Sequence, residues 1–143
     1  MRSMLSRSVI LAFSASAVFA IHTYAAEISD FRVPEGFVVE RVAGPPLVRY
    51  PLFVSFDDRG RMYVAEGTGT NLPGAELESK QLGRILRLED QDGDGRFDIS
   101  QVFADKLVFP QGVLWHDGAV YTASHPSIWR LEDTDGDRRR RPP

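Results

Sequence analysis

An acidic stretch occurs twice in this chain, and its spacing restricts the fold more than any other feature. RILRLEDQDGDGRFD occupies residues 84–98 and SIWRLEDTDGDRRRR residues 127–141. Each copy passes from a short apolar run into aspartates at alternate positions, Asp90, Asp92 and Asp94 in the first, Asp133, Asp135 and Asp137 in the second. The copies lie 43 residues apart, a period within the ~40–50 residues of a propeller blade. Beyond residue 26 no helical period is sustained, so the repeat is read as β structure.

Other echoes fix the strand order. Pro34-Glu35-Gly36 is a turn signal before residues 37–43 (FVVERVA), whose β-branched content predicts a strand. Residues 52–56 and 61–65 flank Asp57-Asp58-Arg59-Gly60, where Gly60 supplies the positive φ of a tight hairpin. Strands are predicted next over 84–89 and 100–104. The order then restarts with 113–115, the turn His116-Asp117-Gly118, 119–123 and 128–131. Gly60 and Tyr63 match Gly118 and Tyr121 at an offset of 58, so the first unit carries a 15-residue insertion within the Gly/Thr/Pro-rich loop 66–83. Val42-Ala43 followed by Leu47-Val48-Arg49-Tyr50-Pro51 echoes Val102-Phe103-Ala104 followed by Leu107-Val108-Phe109-Pro110. With blade strands lettered a to d outward from the axis, the chain reads d, a, b, c, d, a, b, c. The expected fold is all-β, a partial propeller of about two four-stranded blades with a leading strand of the kind that closes a ring.

Residues 1–26 read as a secretory signal. Arg2 and Arg7 make a basic start, residues 8–21 are uncharged and apolar, and Ala20, Ala25 and Ala26 suit cleavage. The alternative is an uncleaved membrane anchor, for which the apolar run falls short of the ~20 residues that span a bilayer. The exported part, expected in the periplasm or cell envelope, has no cysteine; disulfides and covalently attached haem are excluded. Between Glu27 and Asp137 there are 20 acidic and 11 basic residues, which argues against a nucleic-acid partner. The domain expected over 27–137 is followed by an aberrant basic tail, 138–143, and the second acidic loop breaks off where the first continues into a d strand. Two blades cannot close a ring of 4–8. The sequence is therefore expected to be the N-terminal fragment of a longer propeller, interrupted by a frameshift or early stop.

Asp90-x-Asp92-x-Asp94-Gly95 sets three carboxylates at alternate residues before a glycine that permits a sharp turn, a donor set suited to Ca²⁺. Arg96 would add its backbone carbonyl, Phe97 would anchor the loop in the core, and Asp98 would bind directly or through water. Gln101 replaces the terminal bidentate glutamate of a helix-loop-helix site, so a strand-connecting loop of modest affinity is expected. The other reading is a solvated acidic turn in which Asp and Gly serve only turn geometry. In the second loop Arg138 stands where the glycine would be.

Other polar residues give weaker signals. His116 reads as a turn residue and His125, before Pro126, as a loop residue. Glu66 ends strand b, where a functional carboxylate or a solvated strand end are the alternatives. Thr68-Gly69-Thr70-Asn71 could meet a phosphate, but no following helix is predicted. Tyr63, Trp115, Tyr121 and Trp129 are expected in the inter-blade core.

FRVPEGFVVERVAGPPLVRYPLFVSFDDRGRMYVAE, GRILRLEDQDGDGRFDISQVFADKLVFPQGVLWHDGAVYTAS and SIWRLEDTDGD together resemble the N-terminal propeller of the membrane-bound dehydrogenase-like proteins of planctomycete-type bacteria. Those are similar to soluble glucose/sorbosone dehydrogenases. The resemblance covers Phe31 to about Asp137 and implies an oxidoreductase using pyrroloquinoline quinone and calcium on a sugar or polyol. It assigns no catalytic histidine and no cofactor-binding residue to a position in this chain. An exported, calcium-dependent module that binds carbohydrate or protein is the alternative function.

Overall fold

The computed structural model describes residues 31–134. The predicted signal at 1–26, Asp135, Asp137 and the basic tail lie outside the described residues. Among the described residues no helix is long and apolar enough to cross a membrane.

Two antiparallel meanders follow one another. The first pairs β1 (Pro51–Phe56), β2 (Met62–Glu66), β3 (Gly83–Glu89) and β4 (Ile99–Leu107) in chain order, and the second pairs β5 (Leu114–His116), β6 (Ala119–Ser124) and β7 (Ser127–Leu131). These are the predicted strands a, b, c, d and a, b, c. The hairpin turns follow from local chemistry. Gly60, at φ +76°, closes the turn after Asp57. Asp117 and Gly118, at φ +46° and +77°, form the two-residue loop between the paired residues His116 and Ala119, as a type I′ hairpin requires.

Alternation along β2 and β3 creates two apolar layers. Tyr63, Ala65 and Ile85 join Phe103, Ala104, Leu107, Val120 and Leu131 in a core shared by the two sheets. Tyr63 and Phe103 meet edge to face, ring centroids 5.2 Å apart. Trp115 and Trp129 flank this layer, as expected, whereas Tyr121 is half-buried and accepts a hydrogen bond from Arg130 Nε (3.1 Å). On the opposite face of the first sheet Val48, Met62, Val64, Leu86 and Leu88 form a second layer, flanked by Leu47 and Phe97. Buried on both faces, β2 and β3 carry nearly continuous apolar runs.

Two expectations about secondary structure need correction. Residues 37–43 form no strand; Phe37 and Val38 remain 70% and 82% exposed. A β-branched run becomes a strand only beside an open sheet edge. This one crosses the end of the first blade, where the Val42 carbonyl accepts the N–H of Phe97. The insertion, read as a loop, contains helix α1 (Gly74–Lys80). Pro73 precedes it, Glu76 pairs with Lys80 one turn on, and Gln81 ends it in a left-handed conformation. At seven residues with none buried, it gives no hydrophobic period to detect.

The last residue of strand b holds the chain that enters each blade. Glu66, 1% exposed, accepts the N–H groups of Arg49 (2.6 Å) and Tyr50 (3.3 Å) on Oε1 and pairs through Oε2 with Arg84. Ser124 Oγ accepts the N–H groups of Val108 (3.0 Å) and Phe109 (3.4 Å) at the equivalent place. Glu66 is thus neither a solvated strand end nor an open functional carboxylate. Gly83, which precedes Arg84 in β3, admits no side chain, since a Cβ there would lie 2.5 Å from Pro110 Cδ and 2.8 Å from the Leu107 carbonyl oxygen.

Truncating Glu66 should leave two backbone donors without an acceptor, each worth about 1–3 kcal/mol when buried, while half-exposed Arg84 is rehydrated. Glu66→Ala is expected to destabilise the fold by about 3 kcal/mol. Glu66→Gln, which keeps the acceptor oxygen, should cost about 1 kcal/mol; chemical denaturation of the two variants measures the difference.

Candidate metal centre

The first acidic loop joins β3 to β4, and its carboxylates are organised by the loop's own backbone. Asp90 accepts the N–H of Gly93 on Oδ1 (2.8 Å) and that of Gly95 on Oδ2 (3.0 Å). Gly93 and Gly95 sit at φ +77° and +88°, a region that L side chains enter only with strain. Asp98 closes the loop from the other side. Its N–H donates to the Glu89 carbonyl (3.0 Å), and its Oδ2 accepts the N–H of Gln91 (2.9 Å). Phe97 packs beside the second apolar layer and anchors the turn, as expected.

Asp90, Asp92 and Asp98 each offer a carboxylate oxygen within 4.8 Å of the others. Oxygens bound to one Ca²⁺ at about 2.4 Å can be no more than ~4.8 Å apart, so this donor set fits the ion. Asp94 stands outside the triad; its Oδ1 accepts the N–H of Arg96 (2.8 Å). Asp90 is half-buried while Asp92 and Asp98 are exposed. Open coordination positions would therefore be filled by water or backbone carbonyls, consistent with modest affinity.

Other candidate residues are dispersed. Asp133 begins the second acidic loop after β7, and Asp135 and Asp137 are outside the described residues. His116 ends β5 at the hairpin, exposed. His125 lies in the β6–β7 turn, 3.4 Å from Glu78. Thr68 Oγ1 contacts Thr70, closing a local turn. A helix does follow that turn, contrary to expectation, but it carries no side-chain cap.

A buried polar cluster between the sheets carried no sequence signal of its own. Asp57 accepts the N–H groups of Arg59 (2.9 Å) and Arg61 (3.0 Å) on Oδ1 and pairs with the Arg61 guanidinium through Oδ2. Arg87 reaches Gln101 and Glu89, leaving Nε without a protein partner. Asp57, Arg59, Arg61 and Arg87 line a cavity of about 360 Å³, polar and roomy enough for water. A single aspartate in a turn or arginine in a strand gives no sign that such groups will converge.

Burial pushes the Tyr63 phenol above its ordinary pKa, opposed by Arg61 and reinforced by Asp57. The folded state thus holds the Tyr63 proton more tightly than the unfolded chain. That stability is fully present below about pH 10, the unfolded value, and is lost as pH rises through the folded value. Thermal midpoints measured across the alkaline range should fall more steeply for the wild type than for Tyr63→Phe.

The sequence matches the family described as "Domain of unknown function (DUF7133)" over residues 23–140. No curated protein and no solved structure matches the chain.

Proposed function

Since the chain belongs to the DUF7133 family, whose description assigns no activity, we propose its function from its own geometry: it supplies consecutive blades of an exported, calcium-binding β-propeller. The observation that carries this reading is the pair of successive meanders whose inner strands keep apolar residues open to their flanks. Leu52, Phe53, Val54 and Phe56 of β1 are 42–55% exposed, and Leu114 of β5 is 58% exposed. An apolar row on the innermost strand suits a surface covered by further blades.

Within this proposal the Asp90 loop has a structural role. Bound Ca²⁺ would neutralise three carboxylates and hold the c–d turn in one shape. Asp90, Asp92 and Asp98 are the side-chain ligands; Asp94, held against the turn backbone, keeps the loop folded, and the Arg96 carbonyl is a further oxygen donor. A periplasmic or cell-envelope location follows the predicted signal.

The likeness to glucose/sorbosone-type dehydrogenases extends the proposal to the parent propeller, which would oxidise a sugar or polyol with pyrroloquinoline quinone. The resemblance assigns no catalytic or cofactor-binding residue to a position in this chain, and within this proposal the segment contributes scaffold. A carbohydrate- or protein-binding module remains the second reading, favoured by the polar cavities beside the blade interface.

Calcium should raise the thermal midpoint of the chain, and chelation should reverse the rise. Asp90→Asn/Asp98→Asn should abolish the response; an equal calcium shift in that variant would remove the site. Dye-linked assays with pyrroloquinoline quinone and glucose should give no turnover by this chain alone, and sustained turnover would overturn the scaffold role.

A further inference from the structure

Among the described residues one buried side-chain atom has no hydrogen-bond partner, and it belongs to a cation, Arg87. The Arg87 side chain is 4% exposed. Its Nη2 bonds both Gln101 Oε1 (2.9 Å) and Glu89 Oε1 (3.0 Å), while Nε meets no acceptor. Leaving a buried guanidinium donor unmatched is costly, and native structures rarely do so without a reason. Strand alternation sets other donors beside it. Arg87 pairs with Tyr63 across β2–β3 and with Gln101 across β3–β4, so the three side chains share one face. That face is turned to the second sheet, since Tyr63 belongs to the core between the two. Arg61, two residues before Tyr63, uses Nε for Asp57 (2.5 Å) and keeps both Nη groups outside that bond.

Arg61 and Arg87 line the cavity of about 360 Å³ between the sheets, together with Tyr63, Phe103 and Trp115. That space is about ten times the ~30 Å³ share of one water. It also falls within the ~300–1,000 Å³ of small-molecule sites, which combine aromatic walls with a few convergent polar groups. The far wall is held in place, because the Trp115 backbone N–H donates to Ser55 Oγ (3.0 Å) and ties β5 to β1.

Charge selects the ligand class. The lining carries Arg59, Arg61 and Arg87 against Asp57, Asp58 and Asp133, a balance that favours neither a net anion nor a net cation. Asp57 is already spent, with Oδ1 on two backbone N–H groups and Oδ2 on Arg61. An acceptor for Arg87 is therefore accommodated at least cost when it brings its own positive charge. A carboxylate suits the forked donors of Arg61 and Arg87, and an ammonium suits exposed Asp58 and the faces of the aromatic rings. Phe103 and Trp115 offer contact to an apolar substituent. We propose that this cavity binds a free zwitterionic α-amino acid with an apolar side chain, its carboxylate on Arg61 and Arg87 and its ammonium towards Asp58. The site goes beyond the calcium-binding scaffold and depends on neither the metal nor redox chemistry.

Isothermal titration of the full chain with L-leucine, L-valine and L-phenylalanine tests this. At least one should bind saturably and raise the thermal midpoint. Removing either charge from the ligand, as 4-methylpentanoate and 3-methylbutylamine do for L-leucine, should weaken binding at least about tenfold. Arg61→Lys keeps a cation beside Asp57 but loses the fork, and Asp58→Asn alters an exposed turn residue. Both should fold as the wild type does and bind at least about fivefold more weakly, and Arg87→Lys should also weaken binding. Three results would overturn the proposal: no saturable binding of any of the three amino acids, equal affinity for the analogue without an ammonium, or unchanged affinity in both Arg61→Lys and Asp58→Asn.

Discussion

A buried hydrogen-bond acceptor at the last residue of strand b sets the path of each blade. The link from a preceding d position must turn sharply into strand a, and the N–H groups at that turn have no ladder partner. Glu66 supplies the acceptor in the first blade and Ser124 in the second. Leaving these part-buried donors without an acceptor is costly, which disfavours other paths. The two devices differ in chemistry. The carboxylate also holds Arg84 of strand c, whereas the serine is neutral and its strand is followed by a tight turn. Glutamate is thus suited to the blade with the long b–c insertion, where the start of strand c needs a second fastening.

From that fixed entry the strands are stacked rather than merely paired. β2 and β3 lie under apolar layers on both faces, and Ile85 and Leu88 have no exposed surface. Deleting such side chains typically costs about 2–5 kcal/mol. The layer between blades is therefore a rigid element that carries polar groups to its rim. Asp57, Arg61 and Arg87 occupy one end of the interface, and the insertion with His125 and Trp129 the other. At one end hydrogen bonds tie the polar groups to turns. At the other the insertion helix ends at Gln81 in the ordinary left-handed C-cap conformation.

Strand order was legible in the sequence because three independent echoes, the acidic loops, the hairpin glycines and the link segments, all agree on one blade pattern. The acidic loop was legible for the same reason: alternate carboxylates and glycine are local signals, and the loop is folded by hydrogen bonds among its own residues. The insertion helix was not, because seven residues without a buried side chain leave no apolar period. Neither was the fate of residues 37–43. Their β-branched pattern is genuine, but strand formation needs a neighbouring edge that local sequence cannot supply.

The sequence by itself determined the all-β class, the order of strands, the hairpin turns and the Asp90 loop, because each depends on residues close together in the chain. Only the tertiary structure decided that Asp90, Asp92 and Asp98 converge while Asp94 stands aside, and that Glu66 is buried as a clip. It alone brought Arg61, Arg87 and Trp115 around one cavity. Those outcomes depend on bulges, burial and approach between separate strands, quantities fixed by packing across the fold rather than by neighbours in sequence.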